Sequence, residues 1–180
     1  MRSFFLLVTV LLISTVGLLS QPQPPKIVIQ KNKQLEFLNG EWDIYVTAVT
    51  KDGKEIKLDT GRMTSATEIK GLLIHRKGFR KRTELGFRSW VFYNHRKNTF
   101  FEVGFDLAGN FEIRTGDFDK NGDLDMTMVD AFIAQDNVPR IWRKKYTQIK
   151  PESFLVLTYY TEDEGKTWIE SFREKFVRVK

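Results

Sequence analysis

The sequence contains no cysteine and only two histidines, His75 and His95. The absence of cysteine excludes disulfides, thiolate metal sites, thiol catalysis and a lipid-modified cysteine. Two histidines are too few for a metal site built from three. Long apolar runs are absent after residue 19. The rest of the chain therefore has to build its interior from short apolar segments.

The first twenty residues have the pattern of a secretory signal peptide. Arg2 precedes an apolar run over residues 4–19, and Ser20 suits the position before a cleavage site. An uncleaved anchor is the alternative, but the run is shorter than the roughly 20 apolar residues that span a bilayer. We expect a signal peptide over residues 1–20, a Pro-rich linker over 21–34 and one domain over 35–180. Export without disulfides suits a bacterial periplasm or the exterior.

The chain is basic, with 29 lysines and arginines against 23 aspartates and glutamates. The two signs alternate along the sequence and no recognition motif is visible, so we expect no nucleic-acid partner. Residues 75–82, His-Arg-Lys-Gly-Phe-Arg-Lys-Arg, are the exception. This run is suited to contact with a phosphate-rich envelope surface, and a solvated strand and turn is the alternative.

From residue 41 onwards, apolar and polar residues alternate with the period of β-strands. Asp52-Gly53 and Asn121-Gly122 mark tight hairpin turns. About nine or ten strands, with no convincing long helix, predict an all-β fold, an antiparallel up-and-down β-barrel with room for one small ligand. An open β-sandwich is the alternative. The predicted strands cover residues 41–49, 55–65, 66–71 (or, as the alternative, 71–80), 87–95, 99–106, 111–118, 124–129, 140–149, 154–161 and 167–179.

The first strand of the barrel begins at Gly40 and carries Trp42 two residues later. Glycine permits a sharp turn into the strand, and tryptophan is a large apolar plug with one N–H to place. The stretch resembles the Gly-x-Trp opening of lipocalin-like (calycin) barrels, and more closely the start of bacterial lipocalin-like domains of unknown function. The resemblance covers residues 35–180 and includes Phe176-x-Arg178. It implies that Trp42 stacks against Arg178, or against Arg173, to close the barrel.

The same resemblance bears on haem. Haem-binding relatives among the lipocalin-like barrels, the nitrobindins, use a histidine late in the chain. This chain has none after His95, so the resemblance implies no haem site and we predict no cofactor of this kind.

One stretch has the spacing of a calcium loop. Its oxygen-bearing residues recur at every second position, with Gly122 where such a loop turns, but Met128 stands where a bidentate glutamate is required. A hairpin whose side chains bond to the turn backbone is the alternative. The candidate calcium ligands are Asp117, Asp119, Asn121 and Asp123.

The chain is rich in aromatic residues, with 15 Phe, 5 Tyr and 4 Trp. An apolar ligand pocket and ordinary core packing are both interpretations of this excess. The predicted ligand-binding residues are Tyr93, Phe101, Phe105, Phe111 and Tyr159. Charged residues on two neighbouring strands, Glu102 and Arg114 among them, face the interior or the solvent according to a register that the sequence leaves open.

The leading hypothesis is a secreted lipocalin-like barrel, monomeric or dimeric, that binds a small apolar or amphipathic molecule such as a lipid without covalent chemistry. An envelope interaction module with a filled barrel is the second hypothesis. A small hydrolase or isomerase is the third, although no spacing of nucleophile and base, or of paired carboxylates, indicates an enzyme.

Overall fold

The computed structural model describes residues 23–69, 71–107, 109–133 and 137–180. The signal peptide predicted over residues 1–20 lies outside the described residues. A helix, α1 (Lys26–Lys33), and a 3₁₀ turn (Glu36–Leu38) precede eleven strands. The strands are β1 (Gly40–Val49), β2 (Glu55–Glu68), β3 (Leu73–Arg80), β4 (Gly86–Asn94), β5 (Thr99–Asp106), β6 (Phe111–Phe118), β7 (Leu124–Met128), β8 (Phe132–Ile133), β9 (Pro139–Lys150), β10 (Ser153–Thr161) and β11 (Ile169–Arg178).

Ten of these strands close into one antiparallel barrel. Each pairs with its neighbours in the sequence, β7 pairs directly with β9, and β1 pairs with β11 to complete the ring. The two-residue β8 pairs only with the start of β9 and lies outside the ring. The predicted up-and-down β-barrel is confirmed. Closure leaves no long unpaired edge, which is the feature that makes an open sheet prone to aggregation.

The turns follow the glycine signals of the sequence. Gly53 and Gly122 have φ angles of +79° and +81° at the β1–β2 and β6–β7 hairpins. A positive φ costs glycine nothing, because it has no Cβ. Inside the strands, burial alternates with the pleat, so that Phe100 and Glu102 on β5 face inward and Phe101 faces outward.

The segment before the barrel, predicted from the sequence as a Pro-rich linker, is helical over residues 26–33. Asn32 explains why the helix is ordered against the barrel. Its Nδ2 donates to the carbonyl oxygens of Leu72 (2.8 Å) and Gly71 (3.2 Å), and its Oδ1 accepts the N–H of Tyr93 (2.8 Å). The predicted linker over 21–34 thus contains a helix that covers one end of the barrel. Among the described residues, no helix is long and apolar enough to cross a membrane.

The core fills the end of the barrel next to α1 and the 3₁₀ turn, which we call the closed end. The opposite end, where the β3–β4, β5–β6 and β10–β11 turns lie, we call the mouth. Completely or almost completely buried side chains at the closed end include Leu35, Leu38, Trp42, Ile74, Phe100, Leu124, Met126, Tyr146 and Phe154. This half of the barrel is solidly packed.

Candidate functional site

Three residues at the closed end form one contact group. Trp42 is fully buried, and its Nε1 donates to the carbonyl oxygen of Leu38 at 2.9 Å. The guanidinium of Arg178 lies over the indole ring, 4.2 Å from the ring centroid. Gly40 leaves room for this guanidinium, because a Cβ on Gly40 would lie 2.2 Å from Arg178 Nη1. These are the residues that the sequence suggested for closing the barrel.

Arg178 also ties neighbouring segments together. Its Nη1 donates to the carbonyl oxygen of Asn39 at 3.0 Å, and its Nε donates to that of Pro151 at 2.7 Å. Below it, Trp42 contacts Phe154 edge to face with ring centroids 4.9 Å apart. Cation–π and aromatic contacts of this kind add to the burial of apolar surface. The closed end is therefore a structural plug.

The other half of the barrel is open. A cavity of about 740 Å³ extends from the mouth to the middle of the barrel. Its apolar walls include Val46, Leu58, Leu85, Phe87, Phe105, Met128, Phe132, Trp142, Phe172 and Phe176. A volume of this size is typical of sites that bind drug-sized molecules.

The floor of the cavity is charged. Arg76 Nη1 donates to Glu102 Oε1 at 3.2 Å and to the hydroxyl of Tyr146 at 2.7 Å. The Tyr146 hydroxyl donates in turn to Glu102 Oε2 at 3.3 Å. All three side chains are at least nine-tenths buried. Burial by itself would raise the pKa of Glu102, but the charges of Arg76, Lys144 and Arg114 outweigh it and hold the pKa at about 2.

Further ion pairs surround this centre. Arg114 Nη1 lies 3.7 Å from Glu102 Oε2, and Arg114 also pairs with Glu112. On the opposite wall, Arg80 pairs with Glu174. Counted over the whole lining, six cationic side chains stand against five carboxylates. The cavity therefore carries one positive charge in excess when all these groups are ionised.

Lys144 contributes to that excess from a position deep in the cavity. It is half-buried in the cavity lining and, within the part of the chain that the structure describes, makes no hydrogen bond or ion pair. Burial and the nearby charge of Arg114 lower the pKa of Lys144 to about 7, although Glu102 acts in the opposite direction. Lys144 thus presents to the cavity an amine that changes its charge near neutral pH.

Several polar groups on the cavity wall have no partner. The Nε atoms of Arg76 and Arg114 and the hydroxyl of Ser89 are buried without a hydrogen-bond partner among the described residues. All three residues line the cavity. A buried donor without an acceptor costs about 1–3 kcal/mol. Each of these groups is buried in the cavity wall behind the side chains that face the ligand space.

Strand register separates the polar floor from the apolar walls. Lys144 on β9 is one inward position deeper than Trp142, and Glu174 on β11 is one deeper than Phe172. The charged side chains therefore lie at middle depth, between the packed closed end and the aromatic upper walls. An amphipathic molecule would fit with its polar group on the floor and its apolar body towards the mouth.

The structure corrects the residues that the sequence suggested for the ligand. Of the five, only Phe105 lines the cavity, at its rim. Tyr93 faces inward but is packed in the closed end against Phe100. Phe101 and Phe111 lie on the outer face, because the inward positions of their strands belong to the alternate residues. Tyr159 is also outward, since it pairs directly with Arg143, which alternates with residues of the cavity wall.

The candidate calcium ligands lie in the β6–β7 hairpin at the closed end. Asp119 Oδ1 accepts the N–H groups of Asn121 (2.8 Å) and Asp123 (3.1 Å). Lys145 Nζ lies 3.3 Å from Asp119 Oδ2 and 3.0 Å from Asp123 Oδ2, while Asp117 pairs with Asp125 across the hairpin. Within the described residues, no group of three or more histidine, aspartate or glutamate side chains is arranged to hold a metal. The geometry is that of a turn stabilised by its own side chains.

The charged floor was largely missed by sequence reasoning. Its members are Arg76, Arg80, Glu102, Glu112, Arg114, Lys144 and Glu174. Glu102 and Arg114 were noted as charges of undecided direction, whereas Lys144 was not considered. The available signal was a charged residue flanked two positions away by large apolar residues, as in Trp142-x-Lys144-x-Tyr146, because residues two apart in a strand share a face.

No protein-family profile matches the sequence, and no curated protein matches it. Among solved structures, the fold is similar to that of Rv2717c from M. tuberculosis, with a TM-score of 0.56 and 10% identity over 82% of this chain and 96% of that chain. A redesigned β-barrel gives a TM-score of 0.39, with 14% identity over 81% and 94% of the two chains. EF1p2_mFAP2b bound to DFHBI gives 0.30, with 15% identity over 83% and 99%. The strand pairing of the chain itself defines a closed ten-stranded antiparallel β-barrel.

Proposed function

We propose that the protein binds a small amphipathic molecule with one acidic group inside the barrel. The observation that carries this proposal is Lys144, a cation without a carboxylate partner among the described residues, facing a cavity of about 740 Å³. The acidic group lies on the charged floor beside Lys144, and the apolar body extends along the aromatic walls towards the mouth.

The charges of the floor favour an acid over a neutral polar group. The cations of the lining exceed its carboxylates by one, and a buried charge is costly unless it is paired. An anion would neutralise Lys144 through a charge-assisted hydrogen bond. An alcohol or amide leaves the excess charge in place.

The cavity walls indicate that the rest of the ligand is apolar. Phe87, Phe132, Trp142 and Phe172 provide aromatic surface above the floor, and burial of apolar surface contributes about 25 cal/mol per Å². A packed closed end and a single open mouth suit one molecule that enters head first. This arrangement favours ligand binding over the filled interaction module and requires no covalent step.

We also propose that the protein is a lipocalin-like barrel that works after export. The contact group of Gly40, Trp42 and Arg178 supports the first statement, and the signal-like pattern of residues 1–20 supports the second. Determination of the N-terminal residue of the protein recovered from its own cells tests export. An N-terminus close to residue 21 is expected, and retention of Met1 would contradict it.

The binding proposal is tested with an uncharged fluorophore, N-phenyl-1-naphthylamine, as the probe of the cavity. We expect dodecanoate to displace it at a concentration at least about tenfold lower than dodecanol, because only the acid pairs with Lys144. Lys144→Met should abolish this preference. Lys145→Met is the matched control, since Lys145 is the next residue but pairs outside the barrel with Asp119 and Asp123.

Two results would overturn the proposal. Equal displacement by the acid and the alcohol would show that the floor does not recognise an anion. An equal loss of preference in the Lys144→Met and Lys145→Met variants would show that the overall charge of the protein, and not the cavity, attracts the acid.

A further inference from the structure

A second concave surface lies on the outside of the barrel beside the mouth. This outer groove has a volume of about 390 Å³ and crosses β2 to β5. Its lining includes the cations Arg62, Lys77 and Arg88 and the apolar side chains Phe79 and Leu107. Four residues, Phe87, Arg88, Phe105 and Asp106, line both the outer groove and the internal cavity. The outer groove therefore adjoins the mouth of the cavity.

The rim of the outer groove exposes large apolar side chains. Phe79 is 45% exposed, Phe105 39% and Leu107 75%. Phe111 on β6, which pairs with Phe105 on β5, is 63% exposed. Single exposed apolar residues are ordinary on a protein surface, but a cluster around one groove indicates an interaction site.

The cations of the outer groove are arranged at a cost to the fold. Lys77 on β3 lies directly opposite Arg88 on β4. Like charges in directly opposed positions of an antiparallel pair are destabilising. Neither side chain makes a hydrogen bond or ion pair with any of the described residues, and Arg62 in the same groove pairs only through its Nε with Asp43 at 3.3 Å. An anion between Lys77 and Arg88 would remove this repulsion.

We propose that the outer groove and its apolar rim dock the protein on the anionic surface of a lipid bilayer. Lys77 and Arg88 contact lipid phosphates, while Phe79, Leu107 and Phe111 enter the interfacial region. Basic residues are attracted to an anionic membrane, and apolar side chains add the burial of their surface. A second copy of the chain fits less well, because a two-fold contact would bring the same cations against each other.

Docking in this orientation places the rim of the mouth next to the bilayer surface. The residues shared by the outer groove and the cavity form the boundary between the two. An amphipathic ligand could therefore pass between membrane and cavity without crossing bulk water. The docking itself does not depend on the identity of the cavity ligand.

Sedimentation with lipid vesicles tests the proposal. We expect the protein to bind vesicles that contain phosphatidylglycerol at least about tenfold more tightly than vesicles of phosphatidylcholine, and to lose binding as salt is raised. The double variant Lys77→Glu/Arg88→Glu should reduce binding by at least about tenfold. The matched control is Lys150→Glu/Lys175→Glu, with the same change of charge at exposed positions on β9 and β11; it should bind as the unchanged protein does.

A second double variant separates insertion from charge. Phe79→Ser/Leu107→Ser should weaken binding although the cations are intact. Equal binding to both kinds of vesicle, or an equal loss in the control double variant, would overturn the proposal. Absence of vesicle binding, together with a dimer that the Phe79→Ser/Leu107→Ser variant dissociates, would assign the surface to a second copy instead.

Discussion

The guanidinium of Arg178 covers the ring of Trp42 at 4.2 Å from its centroid, and the two residues are paired directly between the last strand and the first. The contact joins the two ends of the barrel sequence and therefore helps to complete the ring. It needs Gly40, whose φ of +127° and missing side chain leave space for the guanidinium. The Gly40-x-Trp42 motif in the first strand is thus explained by its contact with Arg178 in the last strand.

Truncation of Trp42 should destabilise the protein strongly. Trp42→Ala is expected to lower the free energy of unfolding by roughly 3–5 kcal/mol, the usual cost of removing a large buried aromatic side chain. Urea unfolding followed by circular dichroism measures the change. Trp90→Ala is the control, because Trp90 lies on the outer face and keeps part of its surface exposed. A loss for Trp42→Ala no larger than that for the control would mean that the closed end is not the organising core.

Calcium should leave the β6–β7 hairpin unchanged. Lys145 already pairs with both Asp119 and Asp123, and backbone N–H groups of the turn donate to Asp119 Oδ1. A calcium ion would have to displace both Lys145 and the backbone N–H groups from these carboxylates. We expect no shift of the melting temperature at millimolar calcium, measured by differential scanning calorimetry with magnesium as the control. A rise specific to calcium, and lost in Asp119→Asn, would restore the site.

Much of the fold could be predicted because strand alternation and turn residues are local signals. The Asp-Gly and Asn-Gly turns and the apolar period placed most strands within a few residues of their bounds. The short β8 was not anticipated, since two residues carry no periodicity. Residues 26–30 did not indicate α1, because the helix is held by the contacts of Asn32 with Leu72 and Tyr93, and no local pattern reports such distant partners.

The sequence predicted an interior cavity but not the residues that line it. Room for an interior ligand could be expected from a barrel of this size, but the aromatic residues suggested by the sequence were selected by type and not by facing direction. Phe101 differs from Phe100 only by one position in the register, and that position decides whether the ring faces the interior or the solvent. The charged floor depends on pairs such as Arg76 and Glu102, 26 residues apart, which become neighbours only when the sheet closes.

The ion pairs of the cavity floor should also make the free energy of unfolding depend on pH in the acid range. The pKa of Glu102 is lowered from 4.5 to about 2, so its stabilising contribution is complete above about pH 4.5 and is lost as the pH falls towards 2. Glu102→Gln should cost roughly 3–5 kcal/mol near neutral pH, because Arg76 and Arg114 lose their buried partner.

Unfolding of both proteins as a function of pH measures the effect. The difference in stability between the unchanged protein and Glu102→Gln should shrink as the pH falls through that range. Glu152→Gln, at an exposed position, provides the control and should differ little from the unchanged protein. A difference for Glu102→Gln that is independent of pH would contradict the ion-pair assignment.

The charge of Lys144 should destabilise the protein that has no ligand bound, whereas the charge of Glu102 stabilises it. Its pKa is lowered from 10.5 to about 7, so between these pH values the unfolded chain holds a proton that the folded protein lacks. The free energy of unfolding should therefore rise with pH across this window, and below about pH 7 the folded protein carries the full cost of the buried charge. Lys144→Met should remove the rise and stabilise the empty protein at about pH 6 by roughly 1 kcal/mol or more.

An acidic ligand should reverse that cost. The anion favours the charged form of Lys144, so binding of dodecanoate slightly above neutral pH should take up part of a proton, and affinity should fall as the pH rises through the pKa. Titration calorimetry in two buffers of different ionisation enthalpy measures the uptake. Lys144→Met should show none, while Lys145→Met should behave as the unchanged protein does. Binding without proton uptake in the unchanged protein would place the acid away from Lys144, and with it the charged floor would lose its role in recognition.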